Sequence, residues 1–260
     1  MSDIQPTSGE LSGFRTLEFD LPSALLEQVI GMFDDMVPAK LTAPAAGAIP
    51  NAQGVYQLFH FDKLVYIGKT ESDDGLAKRL HRHARTIQSR HRLNVDEMKF
   101  KAVQVLVFSA MDLEKALIKH YRSLKMPPTW NGSGFGNADP GRKRDATALK
   151  EDGFDANYPI NIDLELDAQW TKDASAFDVI GVLASKVPYT IRHDKSPNVL
   201  TGLKNSRGVL LPNPLTIRSG LTEVCAALPS GWQATRLSGR VIFYHEHMDD
   251  YPGAEIISRS

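Results

Sequence analysis

The side chains with chemical potential in this chain are two tyrosines, an arginine, a histidine and a glutamate. Tyr56 closes Gly54-Val55-Tyr56, and Tyr66 opens Tyr66-Ile67-Gly68-Lys69. Arg79 and His83 follow, then Glu114, then Trp130-Asn131. Attack of water on a phosphodiester needs a base for the water, positive charge on the phosphate and something to steady the departing alkoxide. Tyr56 is a candidate base. A free phenol has a pKa of about 10, so bringing it near neutrality takes roughly 3 units, or about 4 kcal/mol of differential stabilisation. Lys69, Arg79 and a metal ion could supply that, and His83 could take the phenolic proton. Glu114 is a single carboxylate, which together with several waters suits Mg2+ better than zinc or a calcium cage.

The elements that must position these groups are legible from pattern. The β-branched and aromatic runs around the two tyrosines, separated by His60-Phe61-Asp62-Lys63, predict a hairpin. Leu76 to Leu93 reads as a helix with Leu76, Leu80, Ala84 and Ile87 as its apolar stripe. On it Arg79 and His83, four apart, share a face at the boundary between core and surface. His81 does not share that face, so the His-Arg-His run is a poor metal site. Phe100 to Phe108 predicts a third strand, and Ser109 and Asp112 resemble a capping box for a helix running to about Leu124. Leu21 to Val37 predicts an N-terminal helix, Met1 to Ser12 a loose segment, and Lys40 to Gln53 a linker. Gly132 to Asn137 is a glycine-rich loop without the Gly-Lys-Ser/Thr of a phosphate-cradling loop. Beyond Asp145 the pattern suggests a strand at Tyr158 to Leu166, a helix at Ala176 to Ser185, a strand at Tyr189 to Arg192, a helix at Leu221 to Leu228 and a hairpin around Ser238-Gly239.

Composition bounds the rest. The 260 residues are 42% hydrophobic and 23% charged, enough for a substantial core. No apolar run approaches membrane-helix length and the N-terminus is polar, so a cytoplasmic location is expected. Cys225 alone excludes an intrachain disulfide and a cysteine-based metal cage, and reads as a small buried apolar side chain. The formal net charge of −1 conceals sorting. Lys+Arg against Asp+Glu is 2 to 7 through residue 53, 17 to 10 over 54–145, 2 to 8 over 146–178, 8 to 2 over 179–245 and 1 to 4 thereafter. Two basic blocks of this kind can attract a polyanion locally. Glu97-Met98-Lys99 has the Glu-Xaa-Lys form of a different nuclease class but lacks an upstream Asp partner. His245-Glu246-His247 is read as a solvated end.

Taken in order, the landmarks from Gly54 to Asn131 resemble the GIY-YIG nuclease superfamily, with Val55 in place of isoleucine. Trp-Asn followed by Gly-Phe-Gly-Asn and Asp-Pro-Gly-Arg is similar to its small type II restriction endonuclease branch and extends the likeness toward Asp145. The resemblance implies an α+β fold: a GIY-YIG core of three antiparallel strands flanked by helices over 54–145, an N-terminal arm over 1–53 and an αβ extension over 146–260. It implies Tyr56, Tyr66, Arg79, His83, Glu114 and Asn131 as catalytic, Asn131 holding either a phosphate or the loop. Glu114 would hold Mg2+, and Lys69, Arg82, Arg142, Lys143 and Arg144 would contact DNA. The implied partner is double-stranded DNA with a palindromic site, cut by a homodimer or homotetramer in a bacterial cytoplasm, with a cognate DNA methyltransferase in the same cell but not bound. A repair or homing nuclease, and a catalytically silent DNA-binding or assembly protein, are the alternatives.

Overall fold

The computed structural model describes residues 20–70, 74–106, 112–137, 139–168, 174–210, 212–248 and 251–260. Met1 to Ser12, Glu71, Val107-Phe108 and Ser109 lie outside them. Helix α1 (Leu21–Asp35) starts where the Asp20 carboxylate accepts from the Ser23 backbone N–H at 3.2 Å. The expected linker instead contributes strand β1 (Ala39–Lys40) and a short helix α2 (Ala43–Gly47). Strands β2 (Gly54–His60) and β3 (Lys63–Thr70) form the expected hairpin and turn at Phe61-Asp62, both with positive φ. Helix α3 (Leu76–Gln88) ends at Ser89, earlier than the pattern suggests, so Arg90 and Arg92 lie past it. Strand β4 (Met98–Gln104) precedes helix α4 (Leu113–Ser123), whose cap is Asp112, accepting from the Lys115 N–H at 3.4 Å.

The sheet order is β1-β4-β2-β3, all antiparallel, so four strands stand where three were expected. Strand alternation separates two cores. Tyr56, Leu58, Tyr66 and Phe100 face α3, which buries Leu76, Leu80, Ala84 and Ile87 against them. Val55, Ile67 and Val103 face the other way, onto α1 and onto Leu113, Leu117 and Tyr121 of α4. This core is thus three layers with β3 as the last strand of the sheet.

A second unit follows. A short helix α5 (Phe154–Asn157) packs Phe154 back against Trp130 and Phe135. Then come α6 (Ala176–Lys186), β5 (Ile191–His193), α7 (Pro197–Asn205), α8 (Ile217–Ala226), β6 (Gln233–Leu237), β7 (Arg240–Tyr244) and β8 (Glu255–Arg259). Their sheet runs β5-β7-β6-β8 with β5 parallel to β7, and α6 and α8 close its core, which includes the buried Cys225. The strand expected at Tyr158 to Leu166 does not form. Its backbone is divided between neighbours instead: Ile160 N–H donates to Ser238 O and Asn161 N–H to Ser89 O, both at 2.8 Å. Nor is the tail a solvated end, because β8 pairs with β6 and Glu246 binds Arg142 at 3.0 Å and Tyr251 at 2.7 Å. Among the described residues no helix is long and apolar enough to cross a membrane.

One buried carboxylate joins the two units. Asp145 accepts from Arg192 Nη1 at 2.6 Å, Arg240 Nε at 2.7 Å and Tyr244 Oη at 2.8 Å, and Arg192 also binds Asp139. Removing the acceptor would leave the largely buried Arg240 guanidinium without its counter-charge and Arg192 with Asp139 alone. Asp145→Ala is therefore expected to lower stability by about 3 kcal/mol, read as a lower urea midpoint.

Candidate active site

Tyr56 stands on β2 directly opposite Gly68 of β3. A Cβ at residue 68 would come within 2.5 Å of Tyr56 Cζ, so only glycine lets the ring cross the neighbouring strand. A Cβ at Gly54 would likewise collide with the Val103 carbonyl of β4. Both motif glycines are therefore steric requirements of a tyrosine lying across a close-packed sheet. Tyr66 sits two pairs further along, opposite Leu58, and the two phenol rings are 6.1 Å apart.

The α3 side chains reach these phenols from above. Tyr56 Oη lies 2.7 Å from His83 Nε2, and Arg79 Nε donates to the same oxygen at 3.4 Å. His83 is fully buried rather than at the surface boundary that helical spacing suggests. The cause is the glycine-rich loop, which folds over it: Phe135 stacks on the imidazole at 4.8 Å and meets the Tyr66 ring edge-on at 5.0 Å. Gly136, at φ +75°, passes so close that a Cβ there would lie 3.4 Å from Tyr66 Oη. Beyond this lid opens a cleft of about 640 Å³ between α3 and the second unit, whose lining includes Arg79, Arg82, Gly136, Tyr189 and Arg240.

Glu114 comes from the other layer, in the first turn of α4, and reaches around the edge of β3 to accept from the Lys69 backbone N–H. Its carboxyl is held above the ordinary range by burial first and the neighbouring Asp112 second, against the opposing pull of Lys69 and Arg79. Lys69 Nζ is 3.4 Å from Asp112. Asp74 sets the guanidinium groups of Arg79 and Arg82, at 3.5 and 3.1 Å. Asn131 completes the free edge of β3: its Oδ1 accepts from Ile67 N–H and its Nδ2 donates to Ile67 O, both at 2.8 Å, while Trp130 N–H donates to Val65 O at 2.7 Å. Both ends of that amide are thereby occupied by the strand that carries Tyr66.

The structure thus brings Tyr56, Tyr66, Arg79 and His83 together, with Lys69, Arg82 and Asn131 around them and Glu114 near enough for its charge to act on both tyrosines and on Arg79. Arg142 stands apart. It binds Asp194 and Glu246 and lies over the Tyr244 ring at 4.2 Å, so it belongs to the joint between the units. Lys143 and Arg144 are exposed in the same turn. Phe135 and Asp74 escaped the sequence reading. An apolar residue between glycines and one acid in an acidic loop carry no spacing signal.

Protonation in the unliganded protein runs opposite to a simple ionised base. Burial, reinforced by Tyr66, pushes the Tyr56 phenol well above its usual value, with Arg79 opposing. Burial, then the Arg79 charge, pushes His83 down to about 3. Tyr56 therefore keeps its proton and offers it to a neutral imidazole, in the tautomer that leaves Nε2 free to accept. The unfolded chain protonates His83 near pH 6.5 whereas the folded chain resists until about 3, so this residue's contribution is complete above 6.5 and is lost as pH falls toward 3. His83→Gln should flatten the acid limb of stability in that window by about 1.4 kcal/mol per pH unit, measured by urea unfolding against the parent chain. Gly68→Ala should cost about 1–3 kcal/mol through overpacking against Tyr56, read in the same way.

No curated protein matches the chain. Residues 66–155 match the family model described as the Eco29kI GIY-YIG domain, a type II restriction endonuclease GIY-YIG family. The match begins at Tyr66, and the β2–β3 pairing adds Gly54-Val55-Tyr56 in register with Tyr66-Ile67-Gly68. With both halves of the motif on one sheet and the matched span running from Tyr66 through Asp155, this stretch of the chain is similar to the Eco29kI GIY-YIG domain, a likeness that supports a nuclease.

Proposed function

We propose that the chain is a Mg2+-dependent, site-specific DNA endonuclease of the type II kind, cutting a palindromic site. The observation that carries this is the Tyr56 hydroxyl held between the His83 imidazole and the Arg79 guanidinium, with Glu114 brought to the same place around the edge of β3. Glu114 suits a hard cation. It is half-buried, it accepts from the Lys69 backbone N–H, and among the described residues no cluster of three His, Cys, Asp or Glu side chains competes as a cage. One carboxylate, waters and phosphate oxygens form an ordinary Mg2+ shell. Bound there, the ion would supply positive charge to the phosphate and to the departing oxygen.

The chain's own groups do the rest. Arg79 neutralises a phosphate oxygen and orients Tyr56. The Tyr56 hydroxyl receives the proton of the attacking water as its own proton passes to His83 Nε2, 2.7 Å away. A phosphate seated on Arg79 offsets the charge that helps hold His83 down, so the substrate itself raises the imidazole's affinity for that proton. Tyr66 holds the hydrogen-bonded frame of Tyr56 and Arg79. One such site cuts one strand, so a double-strand break at a palindrome calls for a homodimer or homotetramer. In a bacterial cytoplasm, a cognate methyltransferase would protect the host's own sites.

Tyr56→Phe and Glu114→Gln should each reduce cleavage by about 100-fold or more while DNA binding stays within a few-fold. Plasmid digestion with Mg2+ should give discrete fragments. A smear would point to an unspecific repair-type nuclease, and binding without cutting to a silent DNA-binding protein. Full activity in either variant would falsify the assigned roles.

A further inference from the structure

The basic run on and just past α3 is the conspicuous one in the sequence, yet the fold pairs much of it internally. Arg79 and Arg82 are set by Asp74, Arg85 Nη2 donates to Lys186 O at 3.2 Å, and Arg90 is locked onto Asp155 at 2.7 Å. A quieter set on α4 is differently placed. Lys115, Lys119 and Arg122 recur at helical spacing and share one exposed face. Lys115 meets the Asp112 cap at 3.1 Å, while the side chains of Lys119 and Arg122 make no hydrogen bond or ion pair with a described residue. With Glu114, Asn131 and Gly132 they line a depression of about 410 Å³.

The dimensions fit one kind of occupant. A helix rises about 1.5 Å per residue, so the stripe from residue 115 to 122 is about 10 Å long. Phosphates on one strand of a duplex advance about 3.4 Å along its axis, so about three of them face three cations. The stripe starts one residue from Glu114, and that glutamate is the only acid in α4.

We propose that this face of α4 is a rail for the DNA backbone, carrying the cut strand away from the reaction centre on the Glu114 side. The proposal rests on the endonuclease reading but names a surface outside the reacting groups. The rail supplies affinity and salt dependence and leaves the choice of sequence to other residues.

The test is binding of the full chain, without Mg2+, to a short random-sequence duplex over a range of salt. Two unpaired cations on the rail should together contribute about 1.8 to the slope of log K against log salt. The double variant Lys119→Gln/Arg122→Gln should lose that much slope. Charge-preserving Lys119→Arg/Arg122→Lys should keep it, and so should Lys40→Gln/Lys204→Gln, which removes equal charge elsewhere. An unchanged slope in the first variant, or an equal loss in the last, overturns the rail. A parent chain that binds and cuts while the first variant keeps its slope overturns the rail alone, whereas a parent chain that does not bind overturns the endonuclease reading as well.

Discussion

A phenol can lie across a neighbouring strand only where that strand presents no side chain. Gly68 provides that gap, and the geometry of the site follows from it. Because Tyr56 crosses β3 there, its hydroxyl emerges at the sheet edge, where Arg79 and His83 descend from α3 on one side and Glu114 arrives from α4 on the other. A larger residue at 68 would turn the ring back over its own strand and separate the phenol from the imidazole. The sheet thus separates two layers whose groups meet around its β3 edge.

An opening at an edge strand brings a second difficulty, since unpaired backbone groups at an edge are free to bond elsewhere. The Trp130-Asn131 segment answers it by bonding Val65 and Ile67 as a further strand would, without adding a side chain over the site. The chain that leaves this segment forms the glycine-rich lid, so Phe135 is carried onto His83 by the same connection that closes the edge. The far end of that loop is anchored at Asp145, between Arg192 and Arg240 of the second unit. The second sheet therefore reaches the site indirectly, by fixing the end of the lid.

The hairpin and α3, with the candidate residues they carry, were legible in the sequence because alternation and helical periodicity persist over enough residues to be read. It concealed β1 and α7, the first only two residues long and the second in a segment with little periodicity. Strand β8 was hidden because an acidic, polar tail reads as solvated until Arg142 and Arg218 are seen to neutralise Glu246 and Glu255. The same blindness covers charge in general. Spacing reveals which basic residues share a face, as with Arg79 and His83, but not which have acids to meet. Arg142 looked like a phosphate contact for that reason, and the raised affinity of Tyr56 for its proton was likewise out of reach, since helical spacing set His83 at the boundary between core and surface and left the depth of burial unstated.

That burial gives the site a resting state of its own. A phenol and an imidazole enclosed together are both driven to their neutral forms, and Arg79 is the one charge that favours ionising the phenol while disfavouring protonation of the imidazole. On the proposed reading, a passing water or small solute meets no ionised base. A phosphodiester bound there would alter both effects at once, by occupying the guanidinium and by bringing negative charge beside the imidazole. Proton transfer along Tyr56 and His83 then becomes favourable only with the substrate in place, so the same enclosure that looks wrong for a general base restrains the site until DNA arrives.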